Sequence, residues 1–440
     1  MRARPWTLVV GLMMLAASCA GGGGGDDPPT TSPTEVPSVR ETPSPGVEGE
    51  GSAAEALATL CRYGPPPGSE PVPAEGPTPP AIAEVQVAVE ELRGLEFTEP
   101  VVADAVTKAE LVDGLEESFD YSFPEPVLAR KSKAWQTIGV IPAGTSIRSE
   151  LETFASGQVI GYYDTLTGEL VFIGTDDPSP YERVTLAHEL THAIDDQSFG
   201  LERIDQLITS CRDEAAAAAI ALVEGNATFF MTQYAFAYLT PEEQLALGTE
   251  SGGEAPTIAP FIENQQIWPY LKGQTFVQAL SADGGVDAID DAFRDLPVST
   301  EQILHPERYP SDVPAPVDVP DLGPALGRGW EDLDVQEVGE AWLSLALDLR
   351  MDSSDAADAA AGWDGGLYRA WTDGQDVAVL LSTVWDSPED AEAFAGAMTS
   401  WIAASPEGQA GEVLPVEGNV ARALFATDAP TLEALRAAAS

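Results

Sequence analysis

The sequence predicts an α+β fold built from two parts. The first observation is composition: of 440 residues, 44% are hydrophobic and 21% are charged, which provides ample material for a packed core. The second is helical apolar spacing, which dominates residues 81–325 and is interrupted there by one hairpin pattern. The third is a change after Gly329, where helical segments alternate with segments typical of antiparallel strands. We therefore predict one domain at 81–325 and a C-terminal α+β domain at 326–440.

The charge of the chain excludes several classes of partner. The sequence has 72 acidic and 21 basic residues, for a formal net charge of −51. Binding to a nucleic-acid backbone requires clustered Lys and Arg, so we predict no nucleic-acid binding. An anionic membrane surface would repel this acidic protein. We therefore expect contact with a membrane through a lipid anchor alone.

Residues 1–19 have the pattern of an export signal. Arg2 and Arg4 precede an apolar run that is too short for a membrane-spanning helix, and small residues then lead to Cys19. This run resembles a bacterial lipoprotein signal, in which the cysteine becomes the lipidated first residue. The resemblance implies an exported protein, anchored on the outer face of the bacterial cell membrane. An ordinary signal peptide and a secreted protein are the alternative.

Residues 20–80 are rich in Gly, Pro and acidic side chains, which predicts a disordered tether. Ala53 to Tyr63 interrupts this composition with helix-forming residues and contains Cys61. If Cys19 is lipidated, Cys61 and Cys211 remain as an even pair in an oxidising compartment. The pair predicts a disulfide, and two free buried thiols are the alternative.

The motif with the clearest chemistry follows a predicted hairpin over Gln158 to Ile173. It lies in an amphipathic helix predicted over Tyr181 to Gln197, where the run from His188 to His192 matches H-E-x-x-H. Spacing of i and i+4 places both imidazoles on one helix face, where they can bind one ion. Glu189 borders the same site and is the candidate general base.

A catalytic zinc site usually has three protein ligands and one open position, so a third ligand is required. The Ala-rich helix predicted over Arg212 to Leu239 contains Glu224, and a charge in an apolar stretch is costly unless it is paired or metal-bound. Alanines on that helix would allow a close approach to the H-E-x-x-H helix. We predict Glu224 as the third ligand. The alternative is His305, with Glu224 in a salt bridge or hydrogen-bonded to a ligand.

A helix with H-E-x-x-H followed by a second helix that supplies Glu resembles the gluzincin metallopeptidases, of which thermolysin is the best-known example. More closely, the chain resembles bacterial secreted and lipoprotein zincins over Glu91 to about Ala403. The matching segments are Glu91–Leu95, Gly161–Asp164, Thr185–Gln197, Ala221–Thr228, Thr300–Tyr309 and Ala360–Gly365. The resemblance implies a zincin-like domain that binds Zn²⁺ through His188, His192 and Glu224.

One position departs from the thermolysin-like pattern. Thr228 stands where those enzymes carry an Asp, which leaves the carboxylate partner of a ligand histidine open among Asp195, Asp196 and Asp213.

His305 is the histidine outside the motif and lies in a Pro-bounded segment. Similar enzymes use a His or a Tyr to stabilise the tetrahedral oxyanion, so we predict this catalytic role for His305, with Tyr309 as the nearby substitute. A role in fixing the loop is the alternative.

These observations predict an exported zinc metalloendopeptidase acting on peptide or protein substrates, with Glu189 as the general base. The predicted hairpin resembles the edge strand on which zincins bind an extended peptide. One alternative is a zinc-stabilised binding lipoprotein without catalysis, although a purely structural site would have no use for Glu189. Another is a metal hydrolase that acts on a substrate other than peptides.

Overall fold

The computed structural model describes residues 9–11, 51–61, 78–114, 124–165, 167–174, 177–250, 257–406 and 409–440. Cys19 lies outside these residues, and so does most of the predicted export signal and tether. The described residues form two β-sheets with helices packed around them, which confirms the α+β class.

Helices carry the side chains of the candidate site. In chain order they are α1 (Ala53–Leu60), α2 (Pro80–Arg93), α3 (Glu125–Ile138), α4 (Ile147–Gln158), α5 (Pro180–Phe199), α6 (Glu202–Thr209), α7 (Asp213–Tyr238), α8 (Pro241–Glu250), α9 (Pro260–Arg294), α10 (Thr300–Leu304), α11 (Gly323–Leu326), α12 (Glu340–Asp348), α13 (Ser353–Ala360), α14 (Pro388–Ala403) and α15 (Ala429–Ala439). A further helical segment occupies residues 108–114, where a described range ends. The backbone of α9 leaves helical geometry at Gly284 and Gly285.

The strands form two sheets. They are β1 (Val9–Gly11), β2 (Val102–Val106), β3 (Gly161–Asp164), β4 (Glu169–Ile173), β5 (Glu331–Glu337), β6 (Trp363–Thr372), β7 (Val377–Trp385), β8 (Ala410–Val413) and β9 (Val420–Ala426). The first sheet has the order β1-β3-β4-β2, with β2 parallel to β4 and the other pairs antiparallel. The predicted hairpin is the β3–β4 pair, in which Tyr163 lies opposite Leu170. The second sheet has the order β5-β6-β7-β9-β8 and is antiparallel throughout.

Local sequence sets both ends of α5, the helix that carries the H-E-x-x-H motif. Ser179 and Glu182 form a capping box at its start, with Pro180 in the first turn. Gly200 ends the helix in the left-handed conformation, with φ of 68°. The predicted helix over Tyr181 to Gln197 is therefore confirmed and extends slightly at each end.

The main chains of α7 and α9 are in direct contact. A Cβ atom built on Gly225 of α7 would lie 2.0 Å from the Gly273 carbonyl carbon, and one on Gly273 would lie 1.8 Å from the Ala221 oxygen. Glycine is therefore required on both sides of this crossing. By length and apolar composition α7 could span a membrane, but 67% of its most apolar stretch is buried inside the fold.

The predicted boundary between residues 325 and 326 does not separate two cores. Trp135 of α3 packs edge-on against Trp342 of α12, with ring centroids 6.5 Å apart. Its indole N–H donates to Gln336 Oε1 of β5 at 2.9 Å. Both sides of the boundary contribute to one apolar cluster, because the apolar face of α3 is covered by the second sheet. The two predicted parts of the chain therefore pack against each other through a shared apolar cluster.

The prediction of a disordered tether is wrong at residues 51–61, where α1 is a packed helix. Ala53 is fully buried and packs in an apolar cluster with residues of the second sheet. Cys61 follows α1 and forms a disulfide with Cys211, with the two Cα atoms 6.1 Å apart. This helix lies within Ala53 to Tyr63, the stretch where helix-forming residues interrupt the Gly- and Pro-rich composition.

Candidate metal centre

Two helices bring three ligand-type atoms together. The Nε2 atoms of His188 and His192, both on α5, lie 2.9 Å apart. Glu224 Oε2, on α7, lies 3.3 Å from the first nitrogen and 3.6 Å from the second. All three side chains are buried. Among the residues that the structure describes, these three form the one cluster of His, Cys, Asp or Glu with the spacing to hold an ion.

Two imidazoles and one carboxylate are a donor set that can hold a metal ion. Zinc bonds of about 2.0–2.2 Å place ligand atoms roughly 3.3–3.6 Å apart. The distances from Glu224 to the two imidazoles lie in this range, and the two imidazole nitrogens are closer together, at 2.9 Å. Burial lowers the pKa of His188 to about 4 and that of His192 to about 3, so both rings are neutral at pH 7. Neutral imidazole is the form that binds metal, and two His with one carboxylate leave a fourth position open.

Glu189 lies beside these atoms and against the first sheet. A Cβ atom built on Gly161 of β3 would lie 3.5 Å from Glu189 Cγ, so β3 runs along this side chain. Burial raises the pKa of Glu189 well above its ordinary value, and the nearby Glu224 carboxylate raises it further. The main-chain amide of Tyr163 opposes this shift. Its position beside the three ligand-type atoms makes Glu189 a candidate proton acceptor.

Tyr270 of α9 also lies at this cluster, although no local sequence pattern predicts it there. Its ring stacks on His188, and its hydroxyl donates a hydrogen bond to the Glu224 carboxylate. Burial raises the pKa of Tyr270 well above its ordinary value, and Glu224 and Glu189 add to the effect. Tyr270 lies one turn before Gly273, so the glycine contact between α7 and α9 brings it to Glu224.

Three acidic residues were candidates to hold a ligand histidine, and each has another partner. Asp195 accepts a hydrogen bond from Arg93 at 2.8 Å, and Asp196 accepts one from the Tyr163 hydroxyl at 3.0 Å. Asp213 accepts one from Lys131 at 3.2 Å. Within the described chain, the Nδ1 atoms of His188 and His192 have no hydrogen-bond partner. Packing therefore orients the two imidazoles, and the Tyr270 ring lies against that of His188.

The structure does not bring His305 to this cluster, so its predicted roles as oxyanion donor and as alternative ligand are corrected. Its Nε2 lies 2.9 Å from Glu340 Oε1, where it connects the end of α10 to the start of α12. The Glu340 hydrogen bond raises the pKa of His305. The nearby substitute, Tyr309, donates its hydroxyl proton to the Asp295 carbonyl at 2.6 Å. These contacts agree with the alternative role of His305, in which it fixes the loop.

Comparisons with known proteins give two matches. A family described as a domain of unknown function, DUF8575, matches residues 329–434. This range contains all five strands of the second sheet. A solved structure from Chloroflexus aurantiacus, provisionally described as a hydrolase with a novel fold, is 17% identical, with a TM-score of 0.34. The alignment covers 58% of this chain and 95% of that one. No curated protein matches this chain.

Proposed function

We propose that this chain is an exported, lipid-anchored zinc metallopeptidase of the zincin class. The convergence of His188 Nε2, His192 Nε2 and Glu224 Oε2 in one buried site, with Glu189 beside them, carries the proposal. The anchor rests on Cys19, at the end of the export signal. A glutamate next to the ligands favours a catalytic site over a structural one, because a structural site uses no proton acceptor there.

A bound zinc ion supplies the Lewis acid that polarises a carbonyl and makes water nucleophilic near neutral pH. Glu189 accepts the proton of the attacking water and returns it to the leaving amine. The Tyr270 hydroxyl, which donates its proton to Glu224 here, would change partner on substrate binding and donate to the oxygen that gains negative charge. The buried surroundings keep bulk water away from these groups and strengthen each interaction.

The substrate is an extended peptide that lies on β3. Main-chain groups of β3 pass Glu189 at Gly161 and Tyr163. Val9–Gly11, within the predicted signal peptide, pairs antiparallel with β3, with Val10 opposite Tyr163. This pairing supports the view that a strand fits on that edge, and removal of the signal peptide would free the edge for substrate. Strand addition recognises the main chain, so we expect broad sequence preference.

The test compares wild type with Glu189→Gln for zinc content and for cleavage of casein and a peptide library. We expect one zinc per chain in both proteins and a loss of cleavage of about 10²- to 10⁴-fold in the variant. Glu214→Gln changes a buried glutamate of α7 that lies outside the site, and as the matched control it should keep both properties. Wild type that binds zinc but cleaves nothing across the library would exclude a peptidase and favour a binding lipoprotein or another hydrolase.

A further inference from the structure

Arg93 is a fully buried cation at the C-terminal end of α2. Its Nε lies 2.8 Å from Asp195 Oδ1 of α5, and its Nη1 lies 2.5 Å from Asp290 Oδ1 of α9. One guanidinium therefore joins three helices. Two of them, α5 and α9, also carry the histidine pair and Tyr270.

Aromatic side chains enclose this cation. The guanidinium carbon of Arg93 lies 5.5–5.6 Å from the ring centroids of Phe199, Phe230 and Phe293. Burial alone would lower the pKa of Arg93, but Asp195 and Asp290 outweigh it and raise the pKa, so the charge persists. Charge pairs are strong in such a dry environment, and loss of one partner is costly. The cluster therefore holds its helices in a defined arrangement.

Asp195 connects this cluster to both ligand-bearing helices. It lies three residues after His192, on the same face of α5. Its Oδ2 accepts a hydrogen bond from Asn226 Nδ2 at 2.6 Å. Asn226 lies on α7, two residues after Glu224. A single carboxylate thus bridges the helix of the histidine pair and the helix of the third ligand.

We propose that Arg93, Asp195 and Asn226 form a positioning cluster that fixes the distance between the histidine pair and Glu224. The inference rests on the proposed function, because it assigns the cluster to the metal centre. The ligands belong to different helices, so contacts between α5 and α7 set their spacing. Metal sites require ligand distances within about 0.2 Å. Groups that hydrogen-bond a ligand directly change metal affinity about 10- to 100-fold, and we expect an effect of the same order from this cluster, which acts on the ligands through helix spacing.

The test removes the hydrogen bond between Asn226 and Asp195 and keeps the charge of Asp195 paired with Arg93. Asn226→Leu is similar in size and deletes the hydrogen bond to Asp195, while the Arg93–Asp195 ion pair remains. Asn226→Ser, with a smaller side chain, is measured alongside it. Tyr368→Phe is the matched control, because it deletes a buried hydroxyl that bonds Asp334 at 2.5 Å in the second sheet. The readouts are the Zn²⁺ dissociation constant, the visible spectrum of the Co²⁺ form, and the urea midpoint of the metal-free protein.

We expect the Zn²⁺ dissociation constant of both Asn226 variants to rise about 10- to 100-fold, with an altered Co²⁺ spectrum. Tyr368→Phe should lower the urea midpoint and keep wild-type zinc affinity. Wild-type zinc affinity and Co²⁺ spectrum in both Asn226 variants would overturn the positioning role. Wild type that binds no zinc would overturn the proposed function and this inference together. Zinc binding that weakens in the variants, in a protein that cleaves no peptide, would support the cluster and reject the peptidase.

Discussion

The Tyr270 ring lies almost parallel to the His188 imidazole, with an angle of 20° between the planes and 6.1 Å between the centroids. The stack connects a side chain of α9 to a candidate ligand on α5. The same tyrosine donates its hydroxyl proton to Glu224. Tyr270 therefore contacts both helices that carry the candidate ligands, through its ring on α5 and its hydroxyl on α7.

Tyr270→Phe keeps the ring and removes that hydroxyl. We expect kcat for peptide cleavage to fall about 10²- to 10³-fold, because a donor to the developing oxyanion is lost. Zinc content should stay at one per chain, since the three ligands remain. Tyr309→Phe is the control and should leave kcat unchanged, because the Tyr309 hydroxyl donates to the Asp295 carbonyl. Equal kcat in wild type and Tyr270→Phe would remove this tyrosine from the mechanism.

Gly273→Ala should force α7 and α9 apart, because the new Cβ would lie 1.8 Å from the Ala221 oxygen. Overpacking of this kind costs about 1–3 kcal/mol or more in the free energy of unfolding. Gly396→Ala on α14 is the control, since a Cβ there meets no atom within 4 Å and helix propensity favours Ala. Urea denaturation measures both. Equal stability of the two variants would contradict the prediction and show that the contact between α7 and α9 adjusts to the added methyl group.

Replacing Cys61 and Cys211 by Ser should destabilise the protein. The bond closes a loop with a sequence separation of 150 residues, and the chain-entropy model gives about 4–5 kcal/mol for a loop of this size. Urea unfolding of the double variant, compared with the oxidised wild type, measures the loss. α1 should also become a site of limited proteolysis, because its covalent tie to the start of α7 is gone. An unchanged midpoint with intact α1 would contradict this role.

Glu214 should make the protein less stable as pH rises. Burial raises the pKa of Glu214 from 4.5 to about 8, against the opposing hydrogen bonds from Thr300. Between these two values the folded protein keeps a proton that the unfolded chain releases, so the free energy of unfolding falls as pH rises from about 4.5 to about 8. Glu214→Gln cannot ionise and should show a smaller fall in urea midpoint over this range. The exposed Glu433→Gln is the control, and a wild-type slope in both variants would exclude this cause.

The sequence predicted those parts of the site that depend on local spacing. The capping box at Ser179 and the glycine at position 200 define α5 within a single segment, so His188 and His192 fall on one face. Glu224 was predicted because a charge stands out in an Ala-rich helix, and the structure places it beside both imidazoles.

Tertiary structure decided the rest, because those features depend on partners far apart in the chain. Arg93 meets Asp195 across 102 positions, and His305 meets Glu340 rather than the candidate ligands. Neither of these two contacts can be predicted from the spacing of residues along the chain, because the two partners lie in separate segments. The sequence by itself determined the helix and the chemistry that α5 can offer. Long-range packing determined that Tyr270 completes the site, since only the contact of α7 with α9 brings that side chain to Glu224.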